Sequence, residues 1–100
     1  MSSYAPYING ITVWRVQVGN LYYLQSLLRK FTDEGRNREY IDYEFTAFIE
    51  AAWLFPFEHT AKEVAEISGG KVEKLVISNE EYLRLTDIRN LILHKYYEKN

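Results

Sequence analysis

The sequence predicts an all-α fold, a small four-helix bundle, and three observations carry that expectation. Leu21, Leu24, Leu27, Leu28 and Phe31 recur at intervals of three and four residues, the spacing that lines one face of a helix. Tyr40, Ile41, Phe45, Phe48, Ile49, Ala52 and Trp53 would cover much of a helix circumference, as a central bundle helix requires. Ser78 followed by Glu81 makes a capping box, in which side chains satisfy the free amides of a helix start.

In chain order, residues 1–19 read as an N-terminal extension or short β-hairpin ahead of a helical bundle at 20–100, the whole forming one domain. Asn9-Gly10 lies between two short runs rich in Tyr, Ile and Val, and that dipeptide supplies the positive φ angles of a tight hairpin. A helix starting near Thr12 competes with the hairpin, opposed by the β-branched cluster and Gly19. The first bundle helix starts at Leu21 and closes at "TDEGRN" (32–37), a run of turn residues. The second runs from about Arg38 to Phe55, ahead of Pro56. The third covers about Glu58 to Ile67 and stops at Gly69-Gly70. "KVEKLVI" (71–77) reads either as a short strand or as another helical turn. The fourth helix begins at the Ser78 cap and meets no Gly or Pro before about Lys99.

A chain of 100 residues buries one core. Its 47% hydrophobic and 26% charged composition belongs to ordered proteins. The absence of cysteine excludes a disulfide framework, a thiolate metal site and a cysteine nucleophile, and suits a reducing compartment. "MSSYAPYING" has neither a basic nor an apolar leader region, and no apolar run approaches the roughly 20 residues that cross a bilayer. The expected location is the cytoplasm, away from membranes. A net charge of −2 argues against a broad basic face for nucleic acid, while a small basic site is compatible with brief contact to RNA. The two histidines, His59 and His94, lack zinc-ligand spacing, and neither a phosphate-cradling Gly loop nor a nucleophile-elbow Ser is present.

The segment that carries chemistry is "DIRNLILHKYYEKN" at 87–100. At about 100° per residue, Leu85, Ile88, Ile92 and Tyr96 make the core-facing stripe, while Asp87, Asn90 and His94 share the far side. Arg89 projects on the apolar side, so it must reach water or meet a carboxylate, for which Asp42, Glu44 and Glu50 are candidates. The spacing alone admits an ordinary solvated face with an ion pair at the core edge.

"IRNLILHKYY" resembles the signature of the HEPN superfamily, an Arg and a polar residue followed by a His four to six residues after the Arg. Arg89, Asn90 and His94 match its four-residue version, and His94-Lys95-Tyr96 is similar to the His-x-Tyr extension of HepT toxins. "DYEFTAFIEAAWLF" (42–55) resembles the second helix of several such families. The likeness covers residues 20–100 loosely and the last dozen specifically. It implies a HEPN-type bundle that cleaves single-stranded RNA to 2′,3′-cyclic phosphate ends without metal or cofactor, as a toxin or defence component. In that reading His94 moves the proton of the ribose hydroxyl or the leaving oxygen. Arg89 grips the scissile phosphate, Asn90 orients the His, and Lys95 and Tyr96 bind substrate. A straight helix spreads Arg89 and His94 by about 140°. The family's homodimer resolves this by joining two motifs across a two-fold axis. A nucleotidyltransferase antitoxin that modifies Tyr96 is a further implied partner.

Two other classes stay open. "TAKEVAEISGGKVEKL" (60–75) resembles a helix-turn-helix, which would make 71–77 a DNA-recognition helix offering Lys71 and Lys74. A non-catalytic HEPN-like dimerisation or adaptor bundle is the third class, since fold does not fix function. The nine tyrosines suit either base stacking or core packing.

Overall fold

A computed structural model describes residues 10–97. Its strands are β1 (Ile11–Val18), β2 (Leu21–Asp33), β3 (Arg36–Thr46) and β4 (Lys71–Ile77). Its helices are α1 (Glu58–Ser68) and α2 (Asn79–Ile92), with a 3-10 turn at Ile49–Ala51 and a π-helical turn at Leu93–Tyr97. The strands form one antiparallel sheet in the order β3-β2-β1-β4. The fold is α+β, which corrects the expected all-α bundle.

The two predicted bundle helices at 21–31 and 38–55 are instead β2 and β3, followed by the 3-10 turn. The apolar spacing that suggested a helix at 21–31 comes from a bulge between Tyr23 and Gln25. The adjacent Tyr23 and Leu24 are both buried, in separate clusters, because neighbouring strand residues point to opposite faces. Beyond the bulge no core imposes alternation, because every residue from Leu28 to Ile41 is exposed. The turn signal in "TDEGRN" is real but joins strands. Asp33 pairs with Arg36, and Glu34 and Gly35 both have positive φ, 52° and 78°, the backbone of a two-residue I′ hairpin.

Residues 11–18 are an inner strand rather than an extension of the domain. The first run of the expected N-terminal hairpin, with Asn9, lies outside the described residues. β1 pairs with β4 over seven positions, from Ile11↔Ile77 to Gln17↔Lys71. The segment 71–77 is therefore a strand, and the helix-turn-helix reading loses its recognition helix. α1 and the Ser78 start of α2 stand where the sequence puts them. Ser78 Oγ accepts the Glu81 amide at 3.0 Å, and α1 ends at Gly69 with φ 75°. Gly70 lies so close to β1 that a Cβ there would meet the Gln17 carbonyl oxygen at 2.7 Å.

Each sheet face has its own small core. On one, Val16, Tyr23 and Phe55 enclose Ala61 and Ala65 of α1, two small side chains that let the helix approach the sheet closely. On the other, Leu24 packs with Ala51 and Leu93. β1 and β2 pair only at Gln17↔Tyr22 and Val18↔Leu21, next to their turn. They then part, and residues 53–55 enter the fork. The Trp53 amide donates to the Tyr23 carbonyl (2.9 Å), while Phe55 exchanges backbone bonds with Trp14 (2.6 and 3.0 Å). Past the fork β2 and β3 run on together as a bare ribbon.

Candidate functional site

Two regions compete for the role of functional surface: the predicted Arg-Asn-His constellation on the C-terminal helix, and the β2–β3 ribbon.

Arg89 lies on α2 and reaches the fork between β1 and β2. Its Nη2 donates to the Leu24 carbonyl at 2.7 Å, at the bulge where the β2 backbone leaves regular pairing. Its guanidinium lies over the Trp53 ring, 4.7 Å from the ring centroid, a favourable cation–π arrangement. Nε is buried with no hydrogen-bond partner, and burial lowers the guanidinium pKa from its ordinary value. None of the three expected carboxylates partners it. Asp42 and Glu44 bind Arg29 at 3.1 and 3.2 Å, and that bonding raises the Arg29 pKa.

Arg89 and Asn90 line a cavity of about 190 Å³ with Trp53, Leu54, Tyr82 and Leu85. His94 is not part of that lining. It is exposed in the π-helical turn beyond α2, as is Lys95. Tyr96 is half exposed and stacks on Phe48 with ring centroids 5.4 Å apart, and the Lys95 ammonium lies 5.7 Å from the Tyr96 ring. Arg89 and Asn90 thus line one cavity, and His94, Lys95 and Tyr96 are not among the residues that line it. Among the described residues no three His, Asp or Glu side chains are grouped to hold a metal ion, and no helix is long and apolar enough to cross a membrane.

The ribbon is the surface that sequence reasoning missed. From Ser26↔Tyr43 to the turn pair Asp33↔Arg36 it extends about 25 Å at roughly 3.4 Å per residue. One face carries Arg29, Phe31, Arg38, Tyr40, Asp42 and Glu44, and the other Leu28, Lys30, Glu39 and Ile41, as the strand pairing dictates. Four large apolar side chains stand in solvent: Leu28 (55% exposed), Phe31 (46%), Tyr40 (51%) and Ile41 (50%). Leu28 pairs directly with Ile41, and Phe31 meets Tyr40 edge-on at 5.9 Å. Charges surround them in cross-strand pairs, with Lys30 to Glu39 at 4.0 Å and Arg38 to Asp33 at 3.4 Å. The signal that marks the ribbon in the sequence is Tyr40, Ile41, Tyr43 and Phe45, β-prone residues that follow a Gly-containing turn.

No family model, curated protein or solved structure matches the chain.

Proposed function

We propose that this chain is a non-catalytic interaction module that docks a protein partner through the β2–β3 ribbon. The observation that carries the reading is the exposure of Leu28, Phe31, Tyr40 and Ile41 on a projection where, among the described residues, every one from 28 to 41 is exposed. Apolar side chains paired on each face of an exposed element, with charges around them, suit a contact surface. The ribbon's four cationic side chains (Arg29, Lys30, Arg36, Arg38) are outnumbered by five anionic ones (Asp33, Glu34, Glu39, Asp42, Glu44), which disfavours a phosphate backbone as partner. On α2 the exposed Leu83 and Leu91 are separated by Asp87 at helical spacing, so they make no comparable patch.

The ribonuclease expectation was tied to a helical bundle and to an Arg free to bind phosphate. Here the sheet replaces the bundle, and Arg89 is engaged by the Leu24 carbonyl and Trp53.

The test is site-specific photo-crosslinking in cells, with a benzophenone side chain at Phe31 or Ile41 and, as control, at Val76, which is 66% exposed on β4. Discrete protein adducts from the ribbon positions and none from Val76 are expected. Ribbon positions that give no adduct, or the same diffuse adducts as Val76, overturn the reading. A second check is incubation of the purified protein with labelled single-stranded RNA in the absence of metal. Intact RNA is expected, whereas cyclic-phosphate ends that disappear in His94→Ala would restore the ribonuclease.

A further inference from the structure

β3 is an outer strand of the sheet, 11 residues long, and its outward amides and carbonyls form a template for another strand. Nine of its residues read Arg36-Asn37-Arg38-Glu39-Tyr40-Ile41-Asp42-Tyr43-Glu44. On the face of Tyr40, Arg36 and Arg38 occupy one end and Asp42 and Glu44 the other, with Tyr40 at the centre. We propose that this edge pairs with β3 of a second copy of the chain, antiparallel and two-fold, with Tyr40 opposite the partner's Tyr40. The inference rests on reading the ribbon as a docking element and names its occupant.

The charge pattern selects both the occupant and the register. With Tyr40 on the axis, Arg38 faces the partner's Asp42 and Arg36 faces the partner's Glu44. Symmetry repeats both pairs, giving four opposite-charge contacts on one face. Centring on Glu39 keeps only the Arg36 to Asp42 pair and sets the Glu39 carboxylate against its own copy. Centring on Ile41 keeps only the Arg38 to Glu44 pair. Registers centred midway between two residues would oppose side chains from opposite faces, which a two-fold antiparallel pairing does not allow. Directly opposed like charges are unfavourable in a sheet and unlike charges favourable, so the Tyr40 register stands alone.

Within one chain these charges are only partly paired. Arg29 is shared between Asp42 and Glu44, one cation for two carboxylates. Asp33 is taken by Arg38, and Arg36 forms no ion pair among the described residues. One end of the face is therefore left negative and the other positive. Burial points to the same axis. On the face of Tyr40, the Phe31–Tyr40 pair meets its copy. On the other face Ile41, beside Leu28, lies diagonal to the partner's Ile41. All four exposed apolar residues of the ribbon converge on the two-fold.

Sedimentation of the wild-type chain over a range of concentrations should show a monomer–dimer equilibrium that weakens with added salt. Arg36→Glu with Arg38→Glu makes the charged face anionic, and Asp42→Arg with Glu44→Arg makes it cationic. Each double variant alone should sediment as a monomer, with dimer dissociation raised at least tenfold, and an equimolar mixture should form a one-to-one heterodimer. Circular dichroism checks that each is folded. If the Asp42 and Glu44 variant unfolds on losing its contacts with Arg29, the Arg36 and Arg38 variant carries the test, and a dimer unchanged by it overturns the proposal. A wild-type chain that is monomeric throughout, or folded variants that fail to pair on mixing, does so too. In the first case the charged edge is a device that blocks pairing. Ribbon crosslinks to other proteins by a monomeric chain would sink the self-pairing alone, whereas a ribbon without crosslinks sinks both readings.

Discussion

Arg89 shows how one side chain can match a catalytic motif and yet serve the backbone. Its hydrogen bond reaches residue Leu24, 65 positions away in sequence, at the bulge where β2 leaves β1 and the segment containing Trp53 enters. The Leu24 side chain is fully buried, and a buried carbonyl without a donor costs about 1–3 kcal/mol. Adding the stack on Trp53, worth about 0.5–2 kcal/mol, Arg89→Ala should destabilise the fold by about 2–4 kcal/mol in urea unfolding. Arg89→Lys should recover only part of this, because an ammonium lacks the planar fork that serves carbonyl and indole together. A change within about 0.5 kcal/mol for Arg89→Ala, the range of ordinary surface substitutions, would remove Arg89 from this role. At the start of α2, loss of the cap in Ser78→Ala should cost about 1 kcal/mol. Glu81 gives a pH dependence of known sign. Hydrogen bonds from Arg84, at 2.8 and 2.6 Å, hold its carboxyl below the ordinary range. A carboxylate with a depressed folded pKa stabilises above its unfolded value and loses that contribution as pH falls through the folded one. Thermal scans between about pH 5 and pH 2 should therefore show a shallower acid decline in Glu81→Gln than in wild type.

Among the elements, β2 and β3 divide into an anchored half and a free half. The anchored half holds Tyr23, Leu24 and Thr46, all buried. The free half buries nothing, so the domain should fold without it. Removing residues 27–32 and 37–42 deletes six matched rungs, Leu27↔Asp42 to Thr32↔Asn37. It joins Ser26 to Asp33 and Arg36 to Tyr43 with every remaining side chain on its original face. This variant should keep a cooperative unfolding transition. A chain that fails to fold would show the ribbon to be part of the core. The same division explains what could be read from the sequence. α1 and α2 were legible because a Ser cap, a double Gly stop and local periodicity are encoded within a few residues. β2 and β3 were not, because their free halves face water on both sides and carry no alternation. Leu21, Leu24, Leu27 and Leu28 imitate a helical stripe across a bulge that shifts the strand's facing. The Arg-Asn-His spacing was legible as a pattern, but its meaning depended on a partner element. In this fold Arg89 contacts the Leu24 carbonyl and the Trp53 ring.

At the scale of the molecule, a radius of gyration of 16.6 Å and a longest dimension of 66 Å describe an elongated body. A compact chain of this length has a radius near about 13 Å. The excess lies in the ribbon, a long two-stranded projection that isolated strands rarely sustain in water without support. Pairing of β3 with a second copy would supply that support by turning two ribbons into a four-stranded sheet with apolar side chains at its centre. The most direct measurement is residue-resolved amide hydrogen exchange along β3 as a function of protein concentration. The β3 amides that point away from β2 should be protected in concentrated solution and released on dilution, while the outward amides of β4 exchange rapidly at every concentration. Outward β3 amides that exchange as fast as those of β4 throughout would contradict the account.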